Sequence, residues 1–161
     1  ITGNITNGGS NATGNIGSST GYFNTVFAQA TSAQYADVAE KYVSDSQYAP
    51  GTVLSFGGDK EVTISSNSHA TNIAGVVSTN PAYIMNAGAT GDVVEVALLG
   101  RVPCNVVGII SKGDRLVSSQ IPGVAQALDS DLYQPGCVIG KALENYNSDQ
   151  VGTIEVVVGR V

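Results

Sequence analysis

Hydrophobic residues in this chain recur in short runs punctuated by Gly, Pro, Asn, Asp and Ser, and one stretch alone carries a helical spacing. From Pro50 onwards the runs predict strands over residues 53–56, 61–64, 73–77, 93–99, 101–107, 115–117, 124–128, 138–143 and 152–158. Gly57-Gly58-Asp59 supplies a hairpin-type turn between the first two. Apart from a turn or two, nothing after Pro50 reads as a helix.

The run Val94-Glu95-Val96-Ala97-Leu98-Leu99-Gly100-Arg101-Val102 is matched at the end of the chain by Ile154-Glu155-Val156-Val157-Val158-Gly159-Arg160-Val161. Two further matches stand in the same order. Pro50-Gly51-Thr52-Val53-Leu54 corresponds to Lys112-Gly113-Asp114-Arg115-Leu116, and Ile73-Ala74-Gly75-Val76-Val77 to Val138-Ile139-Gly140-Lys141-Ala142. In chain order, the second copies lie 62, 65 and 60 residues beyond the first. An internal duplication, residues 50–102 and 112–161, is therefore expected. Either copy alone would leave an open sheet edge and a half-covered apolar face. Pairing the two should close them into one barrel of six or more strands. Gly51-Thr52 and Gly113-Asp114 read as matching turns, with Gly at positive φ and Asp capping. Arg101 and Arg160 follow strand-ending glycines at matching places, where pairing with Asp or Glu across a seam is preferred to substrate binding.

Ahead of the barrel, Thr31 or Ser32 can cap a short helix over residues 33–43, with Asp37 and Glu40 in its first half. Ala33, Ala36, Val38, Ala39 and Val43 give it a narrow apolar stripe, and Pro50-Gly51 closes the connector. Residues 1–30 differ in kind. Thr2-Gly3-Asn4-Ile5 recurs as Thr13-Gly14-Asn15-Ile16, with only Gly, Ser, Asn, Thr and Ala between. Such a segment cannot bury enough apolar area to fold alone. It is either a flexible linker or a thin fibre in which three chains share their few apolar residues. The recurring Ile and the alternation in Tyr22-Phe23-Asn24-Thr25-Val26-Phe27-Ala28 favour the fibre. The chain thus reads as mainly β, in three parts: a fibrous stalk over 1–30, a connector with a short helix over 31–49, and a duplicated small β-barrel of short antiparallel strands over 50–161.

Composition fits a β-rich chain with many turns: 12% of the 161 residues are charged and 20 are Gly. A net charge of −6 with seven Lys and Arg speaks against a nucleic-acid surface. No apolar run is long enough to span a bilayer as a helix, and no basic-then-apolar secretion signal opens the chain. Ile1 is not an initiator, so a fragment or processed product of something longer is expected. Cys104 and Cys137 adjoin strand-like runs, and buried reduced thiols are expected, with a disulfide as the alternative. No metal-ligand cluster and no phosphate-cradling loop has the required spacing, so no cofactor is expected. His69, the sole histidine, lacks a Gly-x-Ser-x-Gly partner and reads as a solvated loop residue. Candidate chemistry remains at Ser32, Asp37 and Glu40, where a hydroxyl activated by a carboxylate could attack the neighbouring backbone. A capped, solvated helix start accounts for the same residues without chemistry.

Asn15-Ile16-Gly17-Ser18-Ser19-Thr20-Gly21-Tyr22-Phe23-Asn24-Thr25-Val26-Phe27-Ala28 resembles the segment that precedes C-terminal domains of phage tail fibres. Ser32-Ala33-Gln34-Tyr35-Ala36-Asp37-Val38-Ala39-Glu40-Lys41-Tyr42 resembles the Ala-Asp-x-Ala-Glu start of the C-terminal domain of phage neck-appendage and tail-fibre proteins. Gly75-Val76-Val77-Ser78-Thr79-Asn80-Pro81 and Leu99-Gly100-Arg101-Val102-Pro103 fit that domain too, and the likeness extends to structural proteins of marine T4-like cyanophages. The resemblance implies a virion protein: the homotrimeric C-terminal part of a tail fibre or appendage, partnered by other tail or fibre proteins and supporting fibre folding and host attachment. Two alternatives accompany it. One is an adhesin tip that recognises a host surface glycan or protein through the loops 67–71, 86–91 and 129–135. The other is a self-cleaving intramolecular chaperone, as in some relatives, with Ser32, Asp37 and Glu40 the matching positions. Neither nucleic acid nor membrane insertion is expected.

Overall fold

The computed structural model describes residues 8–10, 13–28 and 32–159. The chain divides into two compact units, Ile1–Ser32 and Ala33–Val161. Among the described residues of the first, an isolated bridge joins Ser18 and Gly21, which exchange backbone hydrogen bonds of 3.0 and 3.2 Å. The strand expected over 22–28 does not form. A single chain of this composition offers its backbone no second edge to pair with. Ile16, Tyr22, Phe23, Val26 and Phe27 are all exposed, Phe27 at 95%. The earlier Thr-Gly-Asn-Ile copy, Thr31 and Arg160 lie outside the described residues.

Among its described residues the second unit contains ten strands: β1 (Asp37–Val43), β2 (Val53–Phe56), β3 (Val62–Ile64), β4 (Ile73–Val77), β5 (Tyr83–Met85), β6 (Val93–Ile110), β7 (Arg115–Ser118), β8 (Ala125–Ala127), β9 (Val138–Ala142) and β10 (Tyr146–Val158). The one helical element among the described residues is the 3-10 turn Ser130–Leu132, capped by Asp129. Two runs expected on either side of Gly100 fuse into the 18-residue β6.

The helix expected over 33–43 is overturned, because β1 occupies that stretch. Its whole length pairs with β6, from Asp37↔Gly100 to Val43↔Val93, and β5 adds on its other side in parallel at Val38↔Tyr83. Val38, Tyr42 and Val43 suit a pleated surface, and two ladders outweigh the weak helical preference of a narrow alanine stripe. Ser32 therefore has no helix to cap.

The second half of the unit closes on itself. β6 runs antiparallel to β10, β10 to β9, β9 to β7 and β7 to β8, and β8 returns to β6 in parallel at Val106↔Ala125. This is a closed five-stranded barrel, and it corrects the expectation that both halves are needed to complete one ring. β6 is long enough to serve two circuits. In the other, β1 pairs with β6, β6 with β4, β4 with β2 and β2 with β3, and the parallel bridge Ser44↔Val62 leads back to the end of β1.

The two circuits use the same registers. Leu54↔Gly75 and Leu116↔Gly140 are each followed by a register shift. Val76↔Ala97 matches Lys141↔Val157, Leu54↔Ile64 matches Leu116↔Ala127, and Ser44↔Val62 matches Val106↔Ala125. Loop hydrogen bonds follow suit. Gly51 N–H donates to Val77 O and Gly113 N–H to Ala142 O, Ser65 N–H to Val53 O and Leu128 N–H to Arg115 O. Gly51 and Gly113 have φ of 88° and 96°, and the Asp114 carboxylate accepts from Ser111 N–H at 2.8 Å, as the turn chemistry required.

Matching positions also fill the interior. Leu54, Val62, Ala74, Val77, Val94 and Val96 form one buried cluster; Leu116, Ala125, Ile139, Ala142, Ile154 and Val156 stand at the equivalent places in the other. Val53, Val76 and Ala97 join the second cluster, so the two circuits pack as one body. Burying each such aliphatic side chain is worth roughly 1.5–3 kcal/mol. Both cysteines are buried and free, and burial pushes the Cys104 thiol up to about 12. Pro103 interrupts β6 without breaking it. Arg101 N–H donates to Ala36 O and Asn105 N–H to Gly51 O, away from β10, so the donor missing at Pro103 is on the side without a continuous ladder.

Candidate functional site

A cleft of about 290 Å³ opens where the start of β1 meets the end of β4 and the middle of β6. Asp37 forms one wall, with Ser78, Asn80, Arg101 and Glu155 around it and Tyr35, Val102 and Pro103 as its apolar surface. Backbone bonds hold Asp37, Arg101 and Ser78 in place. Asp37 O accepts from Ala82 N–H at 2.8 Å, Arg101 N–H reaches Ala36 O at 3.0 Å, and Ser78 N–H reaches Glu95 O at 2.8 Å.

Asp37 and Ser78 are 5% and 6% exposed, and neither Asp37 Oδ2 nor Ser78 Oγ has a hydrogen-bond partner in the structure. A buried carboxylate oxygen left unpaired is destabilising. It marks a place suited to a donor: an ammonium, an amide N–H or a hydroxyl. Arg101 extends into solvent and forms no ion pair among the described residues, so the seam pairing expected for it is not made within the chain.

Glu40 is placed otherwise. It stands three residues along β1 from Asp37, so the two carboxylates leave opposite faces of the sheet and do not act as a pair. Glu40 Oε2 accepts from Tyr42 Oη at 2.8 Å. Burial, that hydrogen bond, and the negative charges of Glu40 and Glu61 push the Tyr42 hydroxyl up to about 12. Ser32 is exposed and closes the first unit, whereas Asp37 and Glu40 belong to the second.

His69 corrects its expected solvated role. It is 9% exposed with φ 55°, its Nε2 accepts from Asp129 N–H at 3.2 Å, and its Nδ1 lies 2.8 Å from Ser68 Oγ. Gln126 Nε2 donates to the same Ser68 Oγ, and Ser118 O accepts from His69 N–H. With Nε2 accepting, Nδ1 carries the ring proton. The imidazole ties the β3–β4 loop to the second circuit, a role invisible in its Ser/Asn/Thr-rich neighbourhood. In the loop 129–135, Leu132 and Tyr133 are half exposed. Among the described residues no group of three His, Cys, Asp or Glu is disposed to hold a metal, and no helix is long and apolar enough to cross a membrane.

Compared with protein-family models and with curated proteins, the chain matches none.

Proposed function

We propose that this chain is the C-terminal module of a homotrimeric phage tail fibre or appendage, located in the virion, in which the barrel unit supports fibre folding and attachment. One observation carries the reading: Ile16, Tyr22, Phe23, Val26 and Phe27 are all solvent-exposed on the single chain, in a segment too polar to bury them itself. Three copies side by side would cover them. The matched registers of the two circuits are read, in the same proposal, as one duplicated unit. Multi-angle light scattering of the full chain tests it. The expected mass is three times that of the chain, falling to one in an Ile16→Ser, Phe23→Ser, Phe27→Ser variant whose barrel stays folded. A monomeric parent chain at micromolar concentration overturns the proposal.

A second reading rests on the resemblance alone, in which Ser32, Asp37 and Glu40 match positions of self-cleaving relatives: one-turnover self-cleavage near Ser32. Mass spectrometry of a freshly expressed, N-terminally longer chain should then show a cut that Ser32→Ala or Asp37→Ala abolishes. An uncut chain rejects it.

A further inference from the structure

The loops that follow β3 and β8 start at matching places in the two circuits, at Ser65 and Leu128, and they meet each other. Residues 129–136 of the second loop are all exposed. Among the described residues, the hydrogen bonds of the segment 129–137 stay inside it, with one exception. Leu132 N–H donates to Asp129 O, Tyr133 N–H to Ser130 O, Asp131 N–H to Asp129 Oδ1 and Cys137 N–H to Gln134 O. The exception is Asp129 N–H, which donates to His69 Nε2 at 3.2 Å. Gly136 adds packing alone, passing so close to Thr71 O that a Cβ there would collide with it. One ring nitrogen thus fixes the residue whose carboxylate and carbonyl cap the 3-10 turn. A single turn of three residues has too few bonds to hold its shape unaided.

The first loop is anchored without the ring. His69 N–H donates to Ser118 O, Ala70 N–H to Ser118 Oγ, and Ser118 Oγ to Asn67 O. The φ of 55° at His69, uncommon for a residue with a side chain, sets the direction of the imidazole. The ring is buried, and its Nε2 accepts from Asp129 only while it carries no proton. An imidazole ordinarily takes up its second proton between pH 8 and 5. A proton on Nε2 would set two donors against each other, so the contact is complete above that range and is lost as pH falls through it. Titratable groups on the elements packed around the ring are Arg115 on β7 and Asp129, Asp131, Tyr133 and Cys137 in the segment; β8 and the loop 65–72 add none. Arg115 opposes an imidazolium, and the two carboxylates favour one. Asp129 Oδ1, however, is turned to Asp131 N–H at 3.0 Å, so a carboxylate that swung to the protonated ring would undo the turn. Either route moves the segment.

We infer that His69 is a pH-operated latch: protonation of its Nε2 frees residues 129–134, while the loop 65–72 stays on β7. The inference stands apart from the fibre reading and does not depend on the number of chains. The test is an NMR titration of the full chain from pH 8 to pH 5, with backbone relaxation measured at each end. The sole histidine gives one imidazole Cε1–H resonance to follow. Order parameters of Asp131–Gln134 should fall from about 0.85 to below about 0.6. That fall should share its midpoint with the imidazole resonance, and the Ala70 amide should stay ordered. His69→Gln, whose amide oxygen can accept from Asp129 N–H without titrating, should keep the segment ordered throughout; His69→Ala should leave it loose throughout. A ring that gains its proton while the segment stays ordered overturns the inference. So does a ring that stays neutral down to pH 5, or loosening at acid pH that persists in His69→Gln. Should neither variant fold, the coincidence of the two midpoints in the unaltered chain decides alone.

Discussion

Glu155 holds in the second circuit the position that Glu95 holds in the first, but only Glu95 has a cation opposite. Lys41 faces Glu95 across β1 and β6 with Nζ 3.9 Å from Oε1, whereas the residue facing Glu155 is Pro103. One backbone scheme therefore carries a closed ion pair on one side and an open carboxylate in a cleft on the other.

That pair is half exposed, at 25% and 37% for the two side chains, so its contribution is small. Lys41→Met should lower stability by about 0.5 kcal/mol at low salt and by nothing measurable in molar salt. Glu155→Gln should leave stability unchanged. Urea unfolding at two ionic strengths checks both.

The histidine tie between the circuits should matter more. His69→Ala removes the acceptor of Asp129 N–H and a partner of Ser68, for a loss of about 2 kcal/mol in urea denaturation. Replacing a Ser or Asn of the same loop that faces solvent, such as Ser66, should change stability by less than about 0.5 kcal/mol.

Gly75 and Gly140 are equivalent places where strands approach too closely for a side chain. A Cβ at Gly75 would lie 2.5 Å from Ala97 O, and one at Gly140 would collide with Val157 O. Gly75→Ala and Gly140→Ala should each cost more than about 3 kcal/mol or prevent folding, read by circular dichroism and melting temperature. Equal sensitivity at the two positions is itself a consequence of the shared registers.

Tyr42 is a reporter of the β1 face. Its hydroxyl is raised from 10.0 to about 12, first by burial and then by the hydrogen bond to Glu40. The folded state therefore holds its proton more tightly than the unfolded chain. The stabilising contribution is complete below pH 10 and is lost as pH rises towards 12. Ultraviolet titration of phenolate should show Tyr42 ionising late, with Tyr48 also raised by burial and its hydrogen bond to Asp45, and Glu40→Gln should bring Tyr42 back towards the remaining tyrosines.

Burial that pushes the Cys104 thiol up to about 12 makes it unreactive. Iodoacetamide should modify neither Cys104 nor Cys137 in the native protein, and both after unfolding. Rapid labelling of native protein would contradict the buried placement.

Much of the barrel was legible residue by residue. Val53-Leu54-Ser55-Phe56 and Ile73-Ala74-Gly75-Val76-Val77 are strands with the bounds their apolar runs announce, and the turn at Gly113-Asp114 follows from Gly and Asp chemistry. The three matched stretches point to the shared registers because glycines and buried positions recur together. β1 and β5 were not legible, since Ala33–Val43 can satisfy a weak helical pattern and Tyr83–Met85 is too short to show alternation. Their strands exist because β6 offers an edge from a distant part of the chain.

By itself the sequence determined the β-rich class and the turns, because these rest on side-chain size, alternation and backbone freedom within a few residues. Only the tertiary structure decided that one half closes a barrel alone, that His69 is buried, and that Asp37 parts from Glu40. It also decided that the Ser55 and Ser65 hydroxyls are buried without partners. Each of these depends on which distant strand comes alongside, and that is settled by ladder hydrogen bonds and core packing across the chain, not by any local pattern.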